Sequence, residues 1–335
     1  MDNKTGNRLN YVDVAKGIGI LLVVFQHCMG VAPFETTPLI SYMIKSFWMP
    51  LFFFMSGYLY KIKPTKDYLY SKTKALIIPD IIVNIINVFT GIFCAVFLKL
   101  SDNYLKLGGF WFLDALIIIS LFYYLFNCAL LNIKFINKKH INYILFSASV
   151  VFLALGLSYS HFAGENTHRV INAFVGVFYY SLGNIFRTFE NKKEIIKKRY
   201  IYLIISILLL TALAFIAPYT GDISMAYNIY SNEIIFVICS VIGCFALFYL
   251  SKFINKSKFF EYYGRNSLII LTLQFPLFKG MNKIICHILN NYYYLSPVII
   301  ALTNFAICFI VLNALIPLIN KFFPLYAGKI KNEIK

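Results

Sequence analysis

Ten stretches of roughly 20 mostly apolar residues recur along this chain, and they set narrow limits on what it can fold into. They lie near 12–30, 39–60, 75–98, 110–131, 142–160, 170–187, 200–217, 232–250, 266–286 and 296–319. A bilayer core about 30 Å thick is crossed by about 20 residues of helix, so each stretch is a candidate span. Within hydrocarbon every backbone N–H and C=O needs a partner inside the protein, which favours helices for runs of this length. Composition agrees, because only 13% of residues are charged and 60% are hydrophobic. Soluble domains carry roughly a quarter charged residues. The expected fold class is therefore all-α: a polytopic integral membrane protein with about ten transmembrane helices. Neither an internal repeat nor a low-complexity linker divides the sequence, so residues 1–335 are expected to form a single transmembrane domain.

The net charge of +17 does not indicate a nucleic-acid partner, because the cations sit in short links between apolar runs. Lys4 and Arg8 precede the first run; Lys61, Lys63, Lys66, Lys72 and Lys74 follow the second. Lys134, Lys138 and Lys139 follow the fourth run, and Arg187, Lys192, Lys193, Lys197, Lys198 and Arg199 cluster after the sixth. Lys252, Lys256, Lys258 and Arg265 follow the eighth, and Lys321, Lys329, Lys331 and Lys335 close the chain. The alternate links are nearly bare of Lys and Arg. Cytoplasmic links collect these residues, so the alternation predicts an even number of spans with both termini in the cytoplasm. The lipid bilayer is the partner this pattern implies.

Seven cysteines lie in or beside apolar runs without C-x-x-C spacing, so neither disulfides nor a metal site is expected. No cleavable signal peptide is evident, because the first run carries Asp13, Lys16 and His27 and reads as retained.

Ionisable groups inside a span are costly and so mark function by default. At 100° per residue Lys16 and His27 fall about 20° apart around the helix axis, and Asp13 within about 60° of both. Along the axis, Lys16 and His27 are separated by about 16 Å. The plainer readings are an Asp13–Lys16 ion pair at a helix end and a packed histidine bonded to backbone.

The stretch Arg8-Leu-Asn-Tyr-Val-Asp13-Val-Ala-Lys16-Gly17, running on to Gln26-His27, resembles the first helix of the acyltransferase-3 family of membrane O-acyltransferases. That helix carries an Asp, a basic residue and then a His. Lys followed by Gly resembles the family's fucose 4-O-acetylase-like branch; elsewhere the family often has Arg at the Lys16 position. Phe47-Trp-Met-Pro50 running to Ser56-Gly57-Tyr58 resembles the second helix, and Lys72-Thr-Lys74 leading to Pro79 the basic run before the third. Phe110-Trp111-Phe112-Leu113, Ser181-Leu-Gly183-Asn184 with Arg187, and Gly264-Arg265-Asn266-Ser267 complete the series in order. Shortly after the last of these the family often has a His where this chain has Gln274.

The resemblance implies an O-acyltransferase, in particular an O-acetyltransferase, of a bacterial cytoplasmic (inner) membrane. Its donor would be a cytosolic acyl-CoA, used as co-substrate with no resident cofactor. Its acceptor would be a cell-surface glycan or a lipid-linked sugar. CoA carries phosphates, which Lys and Arg recognise. Lys16, Lys72, Lys74, Arg187 and Arg265 all fall on the expected cytoplasmic side and are the acyl-CoA-binding candidates. His27 and Asp13 are the catalytic candidates, His27 as general base or as acyl carrier and Asp13 to orient or pair with Lys16. At the opposite side Trp111, Asp114, Glu165, His168 and Arg169 are acceptor-binding candidates, with Lys45, Trp48, His161 and Glu233 nearby. A transporter or flippase for a lipid-linked sugar is the competing class, since it too buries charge, but it often shows matching halves that are absent here. A structural or sensory membrane protein is the third class, and the shared face of Asp13, Lys16 and His27 counts against it.

Overall fold

The computed structural model describes residues 9–29, 39–97, 111–163, 168–190, 199–273 and 297–328. The apolar runs appear as helices α1 (Asn10–Met29), α2 (Leu39–Tyr58), α4 (Ile78–Phe97), α5 (Trp111–Asn132), α6 (Ile141–Ala163), α7 (Arg169–Phe189), α8 (Arg199–Ile216), α9 (Glu233–Ile254) and α12 (Pro297–Phe322). Within the run predicted at 266–286, residues 267–273 are helical and are labelled α11. Three elements have no apolar signal of their own. Helix α3 (Thr65–Lys72) continues through a π-helical turn, Thr73–Ile77, into α4. Helix α10 (Lys258–Arg265) is capped by the Ser257 hydroxyl, which accepts from the Phe260 N–H. A hairpin of two antiparallel strands, β1 (Ile223–Ser224) and β2 (Ile229–Tyr230), joins α8 to α9.

Among the described residues, seven helices are long and apolar enough to cross a membrane. Their surface chemistry suits lipid. Helix α8 buries only Ser206 and Leu213, while its Ile204, Ile207, Leu208 and Phe215 are 53–74% exposed. The Ser206 hydroxyl is turned inward and donates to the Ala246 carbonyl at 2.9 Å. Helix α7 is not among the seven. It buries Asn172, Ser181 and Asn184 between α2, α5 and α6, and a helix enclosed by protein need not be apolar all round.

Two close crossings fix the centre of the bundle. A methyl group at Gly17 would overlap the Phe260 carbonyl, and one at Gly264 the Asp13 carbonyl. Gly57 and Gly183 make the same reciprocal approach between α2 and α7, against the carbonyls of Tyr180 and Phe54. Small residues let helix backbones meet this closely, so four of the glycines in the sequence motifs are crossing points. Helices α1 and α2 run antiparallel. Tyr11 and Tyr58 join hydroxyls at 2.6 Å at one end, and the Gln26 amide donates to Ser41 Oγ at 2.7 Å at the other.

Candidate active site on the first helix

The α1–α10 crossing determines what surrounds Asp13. Its side chain is buried and pairs with Arg265 Nε at 3.4 Å. Arg265 also donates to Glu261 at 2.7 Å, one turn back on α10. The sequence suggested Lys16 as the partner of Asp13, by helical spacing alone. The structure adds Arg265 from across the interface, because Gly17 and Gly264 let α10 lie directly on α1.

Lys16 is within electrostatic reach of a different element. The continuous α3–α4 helix climbs along α5, with the Tyr124 hydroxyl donating to the Lys63 carbonyl at 3.0 Å and the Tyr68 hydroxyl to the Ser120 carbonyl at 2.8 Å. One turn further, Lys72 Nζ donates to Ser120 Oγ at 3.2 Å. Burial there pushes the Lys72 ammonium down to about 8, and the positive charges of Lys16 and Lys63 push in the same direction. The charges of Lys16 and Lys63 thus act on the buried Lys72 ammonium. Lys63 had been read only as a topology lysine; the residues that could have flagged it are Pro64 and Thr65, which start α3 immediately after it.

The other three donor-site candidates are engaged elsewhere. Lys74 lies over the exposed ring of Tyr70, 3.9 Å from its centroid, and donates to its hydroxyl. Arg187 donates to the Tyr58 carbonyl at 2.9 Å and lies over that ring at 5.0 Å. Arg265 is held by the two carboxylates just described. Of the five candidates, Lys16 acts electrostatically on Lys72.

A buried cluster near the same end went unseen in the sequence. Glu190, at the C-terminal cap of α7, accepts from the Tyr58 hydroxyl and pairs with Lys252 of α9. Lys252 is only 3% exposed and lies 4.6 Å from the Phe248 ring centroid. It had been assigned to a link that controls topology; in the structure it is the inner half of an ion pair tying α9 to α7 and α2. No local pattern reveals such a pair, since its members are 62 residues apart.

At the far end of α1, the His27 ring packs against Trp48 of α2, with centroids 5.2 Å apart and planes at 45°. The next residue, Cys28, is buried near Cys308 of α12. The acceptor candidates divide into ties between helices. Arg169 pairs with Asp114 at 3.3 Å, joining α7 to α5, and His161 lies 3.7 Å from Glu233, joining α6 to α9. His168 occupies the N-cap of α7, with its ring 6.1 Å from that of Tyr159. Trp111 packs edge-on against Phe112 at 6.1 Å. Glu165 and Gln274 lie outside the described residues. The tryptophan against the histidine is thus Trp48, a secondary candidate in the sequence, not Trp111.

One helix therefore carries a lysine beside other cations at one end and a histidine against an indole at the other. A family model described as an acyltransferase domain matches residues 9–323. No curated protein and no solved structure matches the chain.

Proposed function

The chain belongs to the acyltransferase-3 family of membrane acyltransferases, and from that premise we propose that it moves an acyl group, acetyl in our reading, from acyl-CoA to a hydroxyl of a cell-surface glycan or its lipid-linked precursor. The observation that carries the proposal is the layout of α1. At one end Lys16, with Lys63, acts electrostatically on the buried Lys72, and His27 lies about 16 Å further along the same helix. Phosphates of CoA are drawn to the cations, and the pantetheine arm has the reach to bring the thioester to the imidazole.

At His27 the acceptor hydroxyl loses its proton to the imidazole as its oxygen attacks the thioester carbon. The C–S bond then breaks, the sulfur takes up a proton, and an O-acyl ester and free CoA result. In the alternative route the imidazole is acylated first and the hydroxyl attacks that intermediate. Asp13 acts at the donor end, where its pair with Arg265 holds α10 against α1 beside Lys16.

The alternating basic links support ten spans with both termini in the cytoplasm of a bacterial inner membrane. The Lys16 end then faces the cytosolic donor and the His27 end faces the acceptor. The Lys16-Gly17 pair supports placement in the fucose 4-O-acetylase-like branch.

The test is transfer of radiolabelled acetyl from acetyl-CoA to base-treated surface polysaccharide by purified protein. Loss of a general base typically costs 10²–10⁴ in rate. His27→Ala and His27→Gln should therefore both lose detectable transfer while binding acetyl-CoA normally. Retention of more than about a tenth of wild-type transfer by either variant, far above that loss, rules His27 out. A covalent acetyl-His27 adduct trapped without acceptor would select the two-step route.

A further inference from the structure

We infer that Asn304, with Gln26, binds the hydroxyl groups of the acceptor sugar beside His27; this rests on the glycan acyltransferase reading above. Asn304 is 1% exposed, and neither its amide nitrogen nor its oxygen has a hydrogen-bond partner among the described residues. The other asparagines of α12 behave differently. Asn313 donates to the Phe309 carbonyl at 2.7 Å and accepts from the Tyr263 hydroxyl at 2.8 Å. Asn320 donates to Asn266 Oδ1 at 2.9 Å. A buried carboxamide with no partner is costly, and such groups persist where something else supplies the bonds.

Its position indicates what that is. Ala301, Asn304, Cys308, Leu312 and Ile316 form the buried stripe of α12. Helix α12 packs on α1, where Phe305 meets Phe25 at 5.6 Å and Cys308 lies near Cys28. Asn304 precedes Cys308 by one helical turn on the same face, which puts it at the His27 end of α1. The turn of α1 that carries His27 holds a second such group. Gln26 is 4% exposed, and its Oε1 has no partner among the described residues although its nitrogen reaches Ser41.

A carboxamide presents two donors and an acceptor together, which complements neighbouring hydroxyls on a sugar ring. A site built to hydrogen-bond hydroxyls discriminates strongly against analogues lacking them, because its buried amides would then stay unpaired. The His27–Trp48 pair supplies the apolar wall, and the amides supply orientation.

The test uses purified full-length protein in nanodiscs, radiolabelled acetyl-CoA and base-treated surface polysaccharide. Asn304→Leu removes the amide at similar volume, and Gln26→Met is the second variant should the first fail to fold. Either should raise the acceptor KM at least tenfold and leave the acetyl-CoA KM within twofold. The thermal midpoint of Asn304→Leu should equal or exceed that of wild type, since an unsatisfied buried group has been replaced by an apolar one. An acceptor KM within twofold of wild type in both variants overturns the inference and leaves a buried water as the amides' only partner. Absence of transfer by the wild-type protein, despite bound acetyl-CoA, overturns the glycan reading and the inference with it.

Discussion

Glu190→Gln isolates one charge in the buried cluster below Tyr58. The amide keeps the size and the hydrogen-bonding oxygen of the carboxylate, but it leaves Lys252, 3% exposed, without its counter-charge. Removing one partner of a buried pair typically costs 3–5 kcal/mol, because the survivor is left uncompensated. An upper limit comes from the lysine itself. It can shed its proton, and from an ordinary value near 10.4 that costs about 4.6 kcal/mol at pH 7. Flanking aromatic faces, with Phe248 at 4.6 Å from Nζ, offset some of the loss. The expected destabilisation is therefore about 3–4 kcal/mol. At roughly 2 °C per kcal/mol for a chain of this size, the apparent Tm in detergent should fall by about 6–8 °C. Adding Lys252→Met removes the stranded charge, and the double variant should return to within about 2 °C of wild type, as expected when a buried pair is replaced by apolar groups. A fall of less than about 2 °C in the single variant, or a double variant as unstable as the single, would refute the reasoning.

The remaining predictions concern the donor site, the helix crossing and the topology. Lys16→Ala should weaken acetyl-CoA binding by roughly 1.5–3 kcal/mol, with Lys16→Arg tolerated; isothermal titration with the folded variants checks both. Because burial pushes the Lys72 ammonium down to about 8 while CoA's phosphates are already ionised, acetyl-CoA affinity should fall as pH rises through that value, approaching tenfold per pH unit above it. Lys72→Met should flatten that slope. The same shift has the opposite sign for the ligand-free fold. Between about 8 and the ordinary lysine value, the unfolded chain binds the proton that the folded chain has lost, so stability rises with pH across that window. Gly264→Ala should cost about 1–3 kcal/mol of stability by pushing α10 off the Asp13 carbonyl, whereas Gly19→Ala, which meets only side chains of α2, should cost less; thermal unfolding ranks the two. Reporter fusions after residues 66, 138, 195 and 258 should report cytoplasm and those at 35, 104, 164 and 222 the outside, and two inverted results would sink the ten-span arrangement.

What the sequence determined by itself was whatever local helix geometry governs. Apolar runs of span length gave the helices to within a few residues, as at 39–60 for α2 and 200–217 for α8. The placement of Lys16 and His27 on one face, about 16 Å apart, follows from 3.6 residues per turn and needs no neighbour. Tertiary structure decided which groups meet. Beyond Lys16, the four basic residues on the same side read alike in the sequence, yet Lys72 reaches Ser120 while Arg187 and Arg265 are spent on Tyr58 and Asp13. Lys252 looked like a topology residue and is the buried partner of Glu190. Trp48, not Trp111, meets His27. Asn304 carries no sequence signal at all, because an asparagine with an unmade bond reads the same as Asn313 nine residues on. The physical reason is common to all four: a contact between helices depends on where and how closely they cross, and glycines at 17, 57, 183 and 264 set those crossings through carbonyls far away in the chain.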